Sequence, residues 1–554
     1  MNKRDFDVVV VGAGVAGAMV AYRLAQGGAR VLILEAGSRN PSRAEMVGKY
    51  AIAFPKTPHS PYVERESDLK APSPDGPADY YVQPDPSAHT QYLSTYERRT
   101  GGSTWHWLGH TPRLLRSDLR MRATYGKGAG LPPGIVNWPI SYDDLEPWYC
   151  EAEREMGVAG SDEEWNNLFD SPRSKPFPMS KIWPSYSDNW IAARINGKVF
   201  DRVKYCVKST PAARNSTTYD GRPACAGNSI CVPLCPIGAK YDASVHVAKA
   251  LAAGASLREE CVATGIEKDK DESVHKVSFV TYGGARESVT AEIVVVAAHA
   301  IETPKLLLMS RIANSSDTVG RYLMDHLSKS VYGMAPEPLF PFRGPPSTSG
   351  IESFRDGEFR KKQAGFRVSL NNDGWSRKGA PYAEIVDAVM SGKLIGRELQ
   401  AAVFARVTRQ IRLSCSVEVA PDRNNRVELS ARTDALGLPR PKITFTPPEY
   451  SYRGLMHANK ALGNIFKLIG ATEIDMGKPR AYDGAGHIMG TCRMGNHAKS
   501  SVVDAHCRSH DHKNLFIVGS AVFPTVGSPN PTLTIAALAL RAAHEINRQL
   551  GSSR

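Results

Sequence analysis

Apolar residues follow distinct patterns along this chain. Val8–Val11 is an unbroken β-branched run, the pattern of a parallel strand buried on both faces. Beyond a glycine turn, Val15, Met19 and Leu24 recur at helical spacing, and VLIL at 31–34 forms a second apolar run. The far end repeats this order: Leu515–Val518 reads as a short buried strand, Gly519-Ser520 as a turn, and Pro531–Ile546 as a helix with one apolar face. In between, RVELSARTD (426–434) and PKITFTP (441–447) alternate with the period of half-buried strands. NWPISYDDLEPWYCEAEREMGV (137–158) predicts an extended segment and then a helix starting near Tyr142, with Asp143 and Asp144 in its first turn where the helix dipole favours them. Two strand–turn–helix units at opposite ends suit one doubly wound sheet closing around a dinucleotide. The predicted class is therefore α/β, with a nucleotide-binding domain from residues 1–330 and 481–554. Residues 331–480 are expected to form a substrate domain built on an antiparallel sheet.

The turn after the first strand is G-x-G-x-x-G, made by Gly12, Gly14 and Gly17. Missing side chains there let the turn close, let backbone N–H groups approach a pyrophosphate, and let the helix pack on the strand. Glu35 ends the second strand 18 residues after Gly17, where a carboxylate binds ribose hydroxyls and argues against a 2′-phosphate. The fingerprint alone does not separate FAD from NAD.

Composition changes this picture little. The 554 residues are 42% hydrophobic and 23% charged, enough for two domains with a sizeable core. The net charge of +13 comes from basic residues scattered along the chain, with no arm or motif for nucleic acid, so a basic solvated surface is the expectation. No stretch is long and apolar enough to span a bilayer. MNKRDFD runs directly into the first strand with no apolar signal segment, so export would depend on another protein. Pro-rich stretches at 52–88 and 335–347 are expected to be loops shaping the site entrance.

With the terminal blocks GHIMGTCRMG (486–495) and NLFIVGSAVFPTVGSPNPTLTIAALALRAAHEI (514–546), the chain resembles the glucose-methanol-choline (GMC) oxidoreductases, FAD enzymes that oxidise alcohols. RRTGGSTWHW (98–107), IVVVAAHAIETPKLLL (293–308) and GRYLMDH (320–326) extend the resemblance over nearly the whole chain. It implies a Rossmann-like FAD domain bordered by Gly12, Gly14, Gly17, Glu35, Gly101, Gly102, Ser103, Thr104, His106, Val262, Gly519, Ser520 and Thr532. It also implies His487 and Asn530 as the catalytic pair. A neutral imidazole suits removal of a hydroxyl proton while hydride leaves carbon, and an amide beside it holds the oxygen without competing for the proton. His106 resembles the histidine that some relatives join covalently to flavin, while others with a similar W-H-W hold FAD without a bond. Relatives commonly read A-N-G-I-E-T-P where this chain has Ala298-His299-Ala300, and asparagines where it has Gly484-Ala485-Gly486.

Three of the nine cysteines lie in CAGNSICVPLCPIGA (225–239), spaced C-x5-C-x3-C. Taken alone, the residues admit three readings. A disulfide leaves one thiol over, zinc lacks a fourth ligand at a familiar spacing, and an iron–sulfur site matches three thiolates followed by proline. The loop resembles that of membrane-linked bacterial sugar dehydrogenases, whose catalytic subunits combine FAD with a 3Fe-4S cluster. That resemblance implies Cys225, Cys231 and Cys235 as ligands in an inserted loop at about 205–240, with Ala226 where some relatives keep another cysteine. It further implies a sugar or glycoside substrate, a small subunit with a twin-arginine signal, a multihaem cytochrome c as acceptor, and a periplasmic location reached through those partners. The runner-up is a single-chain oxidase using O₂. A non-catalytic electron-transfer flavoprotein is disfavoured by His487 with Asn530.

Overall fold

A computed structural model describes residues 4–38, 41–52, 80–84, 91–126, 130–375 and 382–553. Most of the Pro-rich stretch 52–88, namely 53–79 and 85–88, lies outside the described residues.

Phe6–Val11 is the central strand of a parallel sheet and is buried from Asp7 onward. Val31–Leu34 pairs on one side of it (Val8 opposite Val31) and Arg286–Val296 on the other (Val8 opposite Ile293). Ser256–Arg258 extends the sheet beyond Val31–Leu34, and Leu515–Ile517 lies parallel to Val294–Val296. The two ends of the chain thus meet in one sheet. The amino-terminal part of Arg286–Val296 continues past that sheet into an antiparallel ladder with Val274–Thr281 and then Cys261–Lys268.

Helix Val15–Gln26 starts at Gly14 with no side-chain cap, so its first N–H groups stay available. Its close packing rests on glycine: a Cβ at Gly17 would stand 2.0 Å from the Gly12 carbonyl oxygen. Gly17→Ala is expected to cost about 1–3 kcal/mol through overpacking, read as a lower unfolding midpoint with weaker flavin retention. Helix Tyr142–Met156 begins where the sequence predicts. The Ser141 hydroxyl accepts from the Asp144 N–H (3.1 Å), and the Asp144 carboxylate accepts from the Ser141 N–H (2.9 Å). This helix packs on the carboxyl-terminal helix Thr532–Ser553. The latter runs past the expected end at Ile546 because Leu550, one turn on, is still buried on the same face.

The second sheet is antiparallel, in the order Thr472–Asp475, Leu327–Met334, Gln410–Val417, Phe366–Asn371, Ser349–Ile351 and Val207–Ser209, with Asp483–Gly484 also paired to Leu327–Met334. It draws on segments from both sides of the 331–480 span. In Gln410–Val417, Leu413, Cys415 and Val417 are buried, while Arg412, Ser414 and Ser416 point to the other face. RVELSARTD and PKITFTP do form strands, Arg426–Thr433 and Pro439–Thr444, but outside this sheet. They pair with each other as a hairpin that packs on helix His299–Ser310. Gln410–Val417 already has a neighbour on each side, which leaves the hairpin no edge there to join.

Candidate active site

A cavity of about 610 Å³ runs from the glycine turn to the second sheet. Its nucleotide end is lined by Gly12, Gly14, Glu35, Cys261 and Val262. Gly12 has φ +105°, and a Cβ there would strike the Ala297 carbonyl at 2.6 Å, whereas a Cβ on Gly14 would meet nothing within 4 Å. Glu35 is buried and accepts from the Ala13 and Gly37 N–H groups, each at 2.7 Å, which holds the turn against the carboxylate. Burial raises its pKa against these donors. Gly17 lies behind this wall, at the packing contact between helix and strand.

Gly101, Gly102, Ser103, Thr104 and His106 form the next part of the wall, in and beside a short 3₁₀ turn, Gly102–Trp105. The Thr104 hydroxyl donates to the Gly101 carbonyl (2.5 Å) and accepts from the Ala243 N–H (2.8 Å), so it braces the turn. His106 Nε2 lies 3.3 Å from Glu97. Burial lowers the His106 pKa against the pull of Glu97, while His106 and Arg99 outweigh burial at Glu97 and take it down to about 2.

The cavity wall also carries a charged group that the motifs do not mark. Arg98 donates to Glu302 at 2.8 Å, and Lys305 stands 3.6 Å from the same carboxylate. His299 has φ +64° and stacks on Tyr96 with ring centroids 4.6 Å apart. Burial takes its pKa down to about 4.

Gly519, Ser520, Thr532, Asn530 and His487 close the carboxyl-terminal side. His487 Nε2 lies 2.9 Å from Asn530 Nδ2. Behind His487, His326 Nδ1 is 2.8 Å from His487 Nδ1, and His326 Nε2 is 2.6 Å from the Gly527 carbonyl. Burial and then the neighbouring His326 hold the His487 pKa well below the ordinary imidazole value. Burial holds His326 at about 4. The Asp325 carboxylate accepts from the backbone N–H groups of His326 (2.7 Å) and His487 (3.0 Å) and from the Ser94 hydroxyl, tying the two histidine segments together. Burial raises Asp325 to about 6. Above the pair, the second sheet presents Ser328, Ser369, Asn371, Arg412, Ser414 and Ser416. None of residues 335–347 lines the cavity, so that loop shapes another part of the surface.

The cysteine loop is adjacent. Cys231 and Cys235 are buried and Cys225 is half-buried, close enough for all three to interact electrostatically. None of the three lines the cavity, but Val232 does. Among the described residues, no three His, Cys, Asp or Glu side chains are gathered into a metal-holding group, this trio included. Two buried cations face the loop. Arg214 has Nε and Nη1 without a hydrogen-bond partner among the described residues, and its charge acts on Cys225. Lys240 donates to the carbonyls of Trp105 (2.8 Å) and Trp107 (2.6 Å), beside His106, and burial lowers it to about 8.

Models of the GMC oxidoreductase family match residues 204–328 and 421–539, and an FAD-dependent oxidoreductase model matches 7–44. The fructose dehydrogenase large subunit of Gluconobacter japonicus is 35% identical over 98% of each chain. The chain belongs to the GMC oxidoreductases. This GMC oxidoreductase is also 24% identical to the gluconate 2-dehydrogenase flavoprotein of Pantoea cypripedii, over 99% of this chain and 94% of that one. Pyridoxine 4-oxidase from Mesorbium loti shares the fold, with a TM-score of 0.63 and 18% identity over 97% of this chain and 98% of that one.

FAD is the cofactor of this GMC oxidoreductase, and the residues present fit it. The open helix start at Gly14 suits a pyrophosphate, and Glu35 suits a ribose. Among the described residues, no helix is long and apolar enough to cross a membrane. GRYLMDH holds Asp325 and His326 but does not show their role, because the contacts that give them one lie far along the chain: His487 is 161 residues from His326, Gly527 is 201 from His326, and Ser94 is 231 from Asp325.

Proposed function

We propose that this GMC oxidoreductase is a dehydrogenase oxidising a hydroxyl of a sugar, sugar acid or glycoside. The reading rests on one observation: His487 and Asn530 stand 2.9 Å apart on the wall of the same cavity that the glycine turn lines. His487 Nε2 takes the hydroxyl proton, and the Asn530 amide holds the oxygen as the C–H bond breaks. When bound, FAD supplies the hydride acceptor and a 3Fe-4S cluster supplies one-electron transfer. The four serines, Asn371 and Arg412 of the sheet face suit a polyhydroxylated substrate. Arg412 is already paired with Asp373 through two hydrogen bonds (3.1 and 2.6 Å), so that face offers hydrogen bonds with little net charge.

Cys225, Cys231 and Cys235 would hold the cluster. The donor chemistry supports this: three thiols share one loop, two are buried, and Arg214 and Lys240 offset the charge of thiolates. Val232, between two of these cysteines, borders the cavity, so a cluster held by them would lie next to the site and would supply one-electron transfer toward an acceptor. The 35% identical relative is the large subunit of its enzyme, which supports partner subunits for this chain. A small subunit exported by the twin-arginine route and a multihaem cytochrome c would make it a periplasmic enzyme held at the membrane by its partners.

A panel of neutral sugars, sugar acids and glycosides mixed anaerobically with the flavin-loaded chain is expected to include one that bleaches the flavin. Turnover should be faster with a dye acceptor than with O₂. Failure of every compound to bleach the flavin overturns the reading, and faster turnover with O₂ replaces it with an oxidase.

A further inference from the structure

His326 is fully buried, is not among the residues lining the cavity, and lies directly behind His487, which is. Its two ring contacts determine where protons sit. The Gly527 carbonyl can only accept, so at 2.6 Å His326 Nε2 must carry the hydrogen. A neutral imidazole carries one N–H, which leaves His326 Nδ1 as a bare acceptor. The 2.8 Å contact between the two Nδ1 atoms is then a hydrogen bond only if His487 Nδ1 is the donor. His487 Nε2 is left unprotonated, facing the Asn530 amide that donates to it at 2.9 Å.

We propose that His326 is a positioning residue that sets the tautomer of His487 and so presents its Nε2 as a ready base. The inference rests on His487 being the base of the proposed reaction, but the tautomer itself can be read without turnover. Setting a tautomer through a neutral imidazole, rather than a carboxylate, has a chemical consequence. An adjacent anion would draw a proton onto His487 before substrate arrives, whereas a neutral acceptor fixes the ring and leaves it uncharged. The nearest carboxylate, Asp325, is occupied by the two backbone N–H groups and Ser94. Burial holds the pKa of His110, another buried histidine on the cavity wall, well below the ordinary imidazole value, and His487 pushes it the same way. When His487 takes the substrate proton, its Nδ1–H keeps the bond to His326, and the chain ending at the Gly527 carbonyl polarises toward the new cation.

The test is ¹⁵N NMR of the flavin-loaded protein labelled at histidine, with His487 identified by the signal lost in His487→Gln. The expected spectrum has His487 protonated at Nδ1 and bare at Nε2 near neutral pH. His326→Leu should convert it to a mixture or to the Nε2–H form and slow anaerobic flavin reduction by about 10²-fold, the lower range for a general base put out of order. His326→Asn, which can keep an acceptor opposite His487 Nδ1, should recover most of that rate and the original tautomer. A wild-type His487 carrying its proton on Nε2 overturns the proposal, whatever the variants do. So does His326→Leu with full flavin content, an unchanged tautomer and an unchanged rate. Should His326→Leu fail to fold, the wild-type spectrum and the His326→Asn rate decide.

Discussion

His487→Ala is expected to slow anaerobic flavin reduction by substrate by about 10³-fold while flavin stays bound. The size is that of a lost general base, within the 10²–10⁴-fold usual for such groups. The fold should tolerate the change. Residue 487 is tied to Asp325 through its backbone N–H, which alanine keeps, and the lost side chain enlarges the existing cavity rather than opening a void in the core. The sign of the pH dependence follows from the lowered pKa of His487. Acidification from neutral toward the ordinary imidazole value leaves the base neutral, so the wild-type rate should hold there and fall only in more acidic solution. Stopped-flow reduction across pH checks both statements. A variant within 10-fold of wild type, or a wild-type rate already halved at pH 6.5, counts against His487 as the base.

Cys231→Ser carries the second large effect. Cys231 is buried beside Val232, the loop residue that borders the cavity. If the three thiols hold the cluster, iron and acid-labile sulfide should fall to background, and electron delivery to a one-electron acceptor should drop by at least about 10-fold. Flavin bleaching by sugar should persist, because none of the three cysteines lines the cavity. Iron analysis beside anaerobic bleaching separates the outcomes: unchanged iron removes the cluster assignment, and lost bleaching with intact iron shows that the loop shapes the substrate site instead.

The nucleotide half was legible because its determinants are local. The β-branched run at Val8–Val11, the three glycines and Glu35 lie within 28 residues and leave few ways to fold, and each occupies its expected place. The Ser141–Asp144 capping box marked a helix start for the same reason. Strand alternation in RVELSARTD and PKITFTP was equally readable, but their partner strands were not. Period 2 reports which face is buried and says nothing about which edge is free.

The site shows the same division. His487, Asn530 and the predicted glycine, serine and threonine residues that line the same cavity stand in segments that short motifs mark. His326, Asp325, Arg214 and the serines of the sheet face carry no such mark. His326 matters because a backbone carbonyl at Gly527 lies 2.6 Å from one nitrogen and His487 2.8 Å from the other. By itself, the amino-acid order determined the glycine turn, the strands it joins, the candidate base and the three clustered thiols, since each is written in neighbouring residues. Only the tertiary structure decided which strand edges are open, which side of His487 faces the cavity, and that the cysteine loop touches that cavity through Val232. Those are contacts between segments far apart in the chain, made by packing, and residue spacing along the chain does not encode them.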